Sequence, residues 1–160
     1  MSVRQAPPAL GLAARLIAGG VLVYAGAIKA AGPAEEFALI IGSYQVLPQD
    51  MSLTLATFLP WVEIFIGWSM ILGFQLRAAA AAACGVFGAF LLAIASVKLR
   101  GIELPNCGCF GDAVHFTPAQ AFLVDACIAS LSYLAWKSAP APFSLDNWTK
   151  GGYTGHHAKQ

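Results

Sequence analysis

Charge is what this sequence has least of. Nine Lys/Arg and eight Asp/Glu make up only 11% of its 160 residues, against about 25% in soluble domains. With a net charge of +1 it builds no basic field to neutralise phosphates, which excludes nucleic acid as a partner. Cysteine is scarce as well. Four cysteines are too few for a disulfide-stapled scaffold, and two of them, Cys84 and Cys127, fall inside apolar runs, leaving Cys107 and Cys109 as the accessible pair. No internal repeat, low-complexity tract or cofactor motif is present.

Apolar residues, by contrast, reach 58%, more than a single soluble domain can bury. They fall into runs of about twenty, the length a helix needs to cross a hydrocarbon core of about 30 Å. Four spans are predicted, at about 10–28, 53–74, 78–97 and 117–136. The expected fold is therefore all-α: an integral membrane four-helix bundle over 1–137, with a polar C-terminal tail over 138–160. The first span closes at Lys29 before a breaker at 30–33. A cleaved signal peptide, with Arg4 as its basic region and Ala25-Gly26-Ala27 as its cut site, is the weaker reading because the run is long enough to span. Between the first and second spans, residues 35–50 are apolar but short and stop at Pro48, which predicts an interfacial segment with Tyr44 at headgroup level. Gly85 and Gly88 among the alanines of the third span predict a face that packs on protein. Thr117 followed by Pro118 reads as an N-cap with Pro at the first helical position.

Cytoplasmic flanks carry an excess of Lys and Arg. With both termini inside, Arg4, Arg15, Arg77, Lys137, Lys150 and Lys159 lie on the inner side and Lys29, Lys98 and Arg100 on the outer. That count orients the termini to the cytoplasm and the Cys107/Cys109 loop to the outer, oxidising side, where disulfides persist.

The loop LPNCGCFGD, 104–112, is the richest in chemistry. Cysteines separated by one glycine close a very small ring, and a bridge so strained is more readily reduced than a structural disulfide. Gly108 and Gly111 give the backbone the freedom this needs. Three readings of the pair stand side by side: thiol–disulfide cycling, a static bridge or idle thiols, and a site for a soft ion such as Cu(I) with His115 as third ligand. Asp112 and His115 are the neighbours placed to tune the thiols. Within the spans, Glu63 and Asp125 are ionisable groups where charge is expensive, which makes each a functional candidate or a register-fixing ion pair. Their candidate partners are Arg15, Lys29, Lys98 and Arg100. A Cys84/Cys127 relay is the lesser reading, since a buried cysteine usually acts as a small hydrophobe. His156 and His157, in the tail with Phe143, Trp148 and Tyr153, read as solvated or as part of a docking tail.

Taken together, Arg15-LIAGGVLVYAGAI-Lys29, Tyr44-QVLP, Leu59-PWVE, Lys98-LRG, CGCFG from Cys107 to Gly111, and Asp125 resemble the MauE/DoxX-like membrane protein family, over about 10–136. The resemblance implies a four-helix bundle in the bacterial inner membrane, with a periplasmic CxC loop. It further implies a part in maturing the disulfide-rich methylamine dehydrogenase, or, by the DoxX-like relatives, in quinone-linked sulfur oxidation. On that footing Cys107 and Cys109 are the expected thiol–disulfide centre, acting on a periplasmic or membrane protein partner. A quinone near Glu63 and Trp61 is a candidate membrane-side electron carrier. Lys29, Glu63 and Asp125 match the family pattern without a defined role. The rivals are a non-catalytic accessory subunit of a larger membrane complex and a CxC metal-handling protein.

Overall fold

The computed structural model describes residues 8–102, 117–139 and 145–146. These form five helices: α1 (Pro8–Ala31), α2 (Ala34–Ser43), α3 (Gln49–Leu72), α4 (Leu76–Leu99) and α5 (Pro118–Lys137). All but the short α2 are long and apolar enough to cross a membrane. The expected interfacial segment is the helix α2, which ends near Tyr44.

The four long helices close a ring in which α1 packs on α3 and α5, and α4 packs on α3 and α5. Neighbours in the ring are antiparallel throughout, because successive spans alternate in direction. The buried positions show why the ring closes. On α1 they include Arg15, Ala18, Leu22, Ala25 and Lys29, flanked by Gly11, Ala14, Gly19 and Gly26, and on α5 they are Ala121, Asp125, Ile128, Ser132 and Ala135. Both stripes follow the alternating three- and four-residue steps that keep one helix face on its neighbour.

The polarity of the bundle is inverted relative to a soluble protein. Arg15, Lys29, Glu63 and Asp125 are each at most 5% exposed, whereas Phe65 is 69% and Leu92 74% exposed. A surface of large apolar side chains around buried charge is stable only where the surroundings are themselves apolar.

Helices α1 and α3 approach closely through glycines. A Cβ on Gly19 would sit 2.8 Å from the Gly67 carbonyl oxygen, one on Gly26 2.6 Å from that of Pro60, and one on Gly67 2.7 Å from that of Gly19. The expectation that Gly85 and Gly88 mark the close contact is thereby corrected: a Cβ on either would meet nothing within 4 Å. On α4 it is the alanines Ala79, Ala80 and Ala83 that are buried. Small residues serve contact only on the face turned to a neighbour.

The α3–α4 turn uses two left-handed residues, Gly73 (φ 68°) and Gln75 (φ 44°). Its exposed amides are capped from far along the chain. The Asp146 carboxylate accepts hydrogen bonds from the Gln75 and Leu76 N–H groups, both at 2.9 Å. At the same end, Arg77 lies 6.0 Å from the Trp136 ring centroid and Lys137 5.1 Å from that of Tyr133, the aromatic–cationic pairing usual at a membrane interface. The sequence-expected cap of α5 is present. Thr117 accepts from the Gln120 N–H at 3.4 Å, and the Gln120 side chain accepts from the Thr117 N–H at 3.1 Å, with Pro118 opening the helix.

Candidate functional site

Lys29 and Gly26 are three residues apart and share a face of α1. Because Gly26 lets the α1 backbone approach Pro60 and the Glu63 Cβ, the Lys29 side chain is laid directly against α3. Its Nζ meets both oxygens of the Glu63 carboxylate, at 2.7 and 2.9 Å. Both side chains are 1% exposed. Glu63 lies fourteen residues after the start of α3 and nine before its end, roughly 21 and 14 Å from the two helix ends at 1.5 Å per residue, whereas Lys29 lies in the last turn of α1. The rings of Phe37 on α2 and Phe90 on α4 flank the ammonium at 5.5 and 5.1 Å. Asp125, on the inward stripe of α5, is buried as well and acts electrostatically on Glu63.

Beside this pair lies a cavity of about 570 Å³, lined by residues of α2, α3 and α4 together with Lys29. Apart from Lys29 and Tyr44, its lining side chains are apolar. Exposed Leu55, Val62 and Ala89 lie on its wall, so it opens toward the lipid-facing surface. Composition does not reveal this cavity, because its walls are the same Leu, Ile, Val and Ala that fill every span.

Of the sequence-proposed partners, Lys29 is the one that joins Glu63. Arg100 turns elsewhere: its guanidinium donates to the carbonyls of Tyr44 and Gln45, the latter at 3.1 Å, and so clasps the end of α2 to α4. Lys98 is exposed. Trp61 is exposed on α3, and neither it nor Glu63 lines the cavity. Cys84 and Cys127 are unbridged. The first lies 3.8 Å from the Ala129 carbonyl, and the second is exposed on α5 rather than buried. Cys107, Cys109, Asp112 and His115 lie outside the described residues, as do Phe143, Trp148, Tyr153, His156 and His157 of the tail. Within that tail, Ser138, Ala139, Leu145 and Asp146 are described, and Asp146 is a cap that sequence reasoning missed.

Four apolar spans around buried charge define a multi-pass integral membrane protein of the helical-bundle class. The chain belongs to the MauE family: the family model described as methylamine utilisation protein MauE matches residues 7–137. No curated protein and no solved structure matches it.

Proposed function

We propose that this chain is a membrane thiol–disulfide redox protein of methylamine utilisation, in which Cys107 and Cys109 exchange disulfides with a protein partner on the periplasmic face of the inner membrane. The observation that carries the reading is the CGC sequence in the loop joining α4 to α5. The two ends of that loop, Ile102 and Thr117, border one surface hollow with Lys98, so it leaves and re-enters the bundle at one end. The excess of Lys and Arg on the opposite flanks favours the periplasmic side for that end. The family description supports methylamine utilisation as the setting.

In the reaction, a partner thiolate attacks the Cys107–Cys109 disulfide and forms a mixed disulfide. The second partner thiolate resolves it, so the partner loses two electrons and two protons and the CGC pair gains them. The reverse sequence reduces a partner disulfide. Of the neighbours that tune the thiols, a protonated His115 favours the thiolate and the Asp112 carboxylate opposes it.

Alkylation and mass spectrometry of Cys107 and Cys109 across a series of thiol/disulfide buffers tests this. The expected result is a reversible two-electron transition at a potential well above that of structural disulfides. A pair that never changes state, together with full function after Cys to Ser at either position, would leave an accessory subunit as the better account.

A further inference from the structure

Four side chains at the end of the bundle where α4 begins and α5 finishes form one continuous ladder across the two helices. Tyr133, Trp136 and Lys137 stand at three- and four-residue spacing on α5 and so share a face. The Tyr133 and Trp136 rings stack with centroids 5.8 Å apart. The Lys137 ammonium lies 5.1 Å from the Tyr133 ring, and the Arg77 guanidinium reaches across from α4 to 6.0 Å from the Trp136 ring. The order is cation, ring, ring, cation, and all four side chains are exposed.

Three properties narrow what this surface takes. The first is hydrogen-bonding sense. Arginine, lysine and the indole N–H only donate, and the phenol has a donor to give. Among the described residues none of the four side chains has a hydrogen-bond or ion-pair partner. A surface of donors, held in place by ring contacts rather than by carboxylates, matches an anion that only accepts. Charge is the second. The acid described at this end is Asp146, and its two oxygens accept from the Gln75 and Leu76 N–H groups, so the surface beside it stays net positive. The third is depth. Arg77 is the second residue of α4 and Lys137 the last of α5, and a helix of twenty residues at 1.5 Å per residue just crosses a core of about 30 Å. Both cations therefore sit at headgroup level, with Tyr133 about one turn deeper, at the boundary between headgroup and acyl chain. Free phosphate would meet the cations alone, whereas a phospholipid brings phosphate oxygens to the cations and apolar chain to the ring edges at once.

We infer that Arg77, Tyr133, Trp136 and Lys137 bind the headgroup of an anionic phospholipid, whose phosphodiester oxygens accept from the two cations and the phenol while its acyl chains run down beside α5. A zwitterionic phospholipid carries its own cation onto a surface that is already positive, which offsets the attraction. The site is independent of the cysteine pair.

The test is native mass spectrometry of the full chain released from detergent micelles, titrated with dioleoylphosphatidylglycerol or with dioleoylphosphatidylcholine. At about 1 kcal/mol for each basic residue near an anionic surface, the phosphatidylglycerol adduct is expected to saturate and to be about 30-fold tighter than the phosphatidylcholine adduct. Arg77→Gln and Lys137→Gln should each weaken it about fivefold and the pair about 30-fold. Tyr133→Phe keeps the ring stack and removes only the phenol donor, and should weaken it about 2- to 10-fold. Lys98→Gln, which removes a cation from the opposite end of α4, should leave it unchanged. Circular dichroism confirms that each variant keeps its helices. Equal binding of the two lipids, indifference to the Arg77/Lys137 double variant, or an equal loss in Lys98→Gln overturns the inference. Displacement of the phosphatidylglycerol by inorganic phosphate at millimolar concentration also overturns it, because the site would then recognise free phosphate rather than a lipid.

Discussion

Removing the cation from the buried Lys29–Glu63 pair is the perturbation whose size the structure sets most directly. Lys29→Met keeps the length of the stem and its contacts with Phe37 and Phe90 but leaves the Glu63 carboxylate, 1% exposed, without its counter-charge and with Asp125 acting on it. Breaking a buried pair by deleting one partner costs about 3–5 kcal/mol, which is roughly two to four decades in the folding equilibrium at 1.4 kcal/mol per decade. Glu63→Gln is expected to cost less than Lys29→Met, because it removes one of two buried carboxylates and leaves the ammonium with Asp125 in the same interior. Replacing both residues with Met and Gln removes both charges of the pair, so the double variant is expected to fall within about 1 kcal/mol of wild type, by the near-neutrality of exchanging whole buried pairs. The assay is a double-mutant cycle, with unfolding followed by circular dichroism in mixed micelles of rising SDS content. A coupling energy of at least about 2 kcal/mol is expected for groups in direct contact. Additive single variants, each costing under about 1 kcal/mol, would refute the argument that this pair is buried and mutually dependent.

The other predictions concern the scaffold that holds the pair. Asp146→Ala removes two hydrogen bonds to the first amides of α4 and is expected to cost about 1 kcal/mol, read as a lowered thermal midpoint in detergent. Asp146→Asn should retain most of that stability. Gly67→Ala places a methyl 2.7 Å from the Gly19 carbonyl oxygen and should cost about 1–3 kcal/mol as overpacking, whereas Gly85→Ala, which meets nothing, should be neutral or stabilise by up to about 1 kcal/mol through helix propensity. The reverse order would mean that the α1–α3 approach is looser than described. Thr117→Ala removes one half of the α5 capping box and should cost about 1 kcal/mol, visible as faster amide exchange in the first turn of α5.

Spans, caps and ionisable candidates were legible in the sequence because each depends on local chemistry. Twenty apolar residues must be helical to satisfy their backbone without water, and Thr117 with Pro118 opens α5 by hydrogen bonds within one turn. Lys29, Glu63 and Asp125 stand out because charge inside an apolar run is costly wherever it points. The boundaries were less legible: α3 begins at Gln49, four residues before the predicted span, because polar residues at a membrane interface continue a helix at little cost.

What only the tertiary structure decided is which faces meet. Gly85 and Gly19 are alike in sequence, yet one borders a cavity and the other a backbone oxygen, since a glycine becomes a contact only through the rotation of its helix against a neighbour. Asp146 caps an amide 71 residues away, a partnership no local pattern announces. Lys29 had two acidic candidates, and the α1–α3 approach at Gly26 selected Glu63. The sequence by itself determined that charge must be paired inside four spans. The choice of partner, and the cavity left beside it, were decided by how closely the backbones pack, a quantity that depends on side chains from two helices at once.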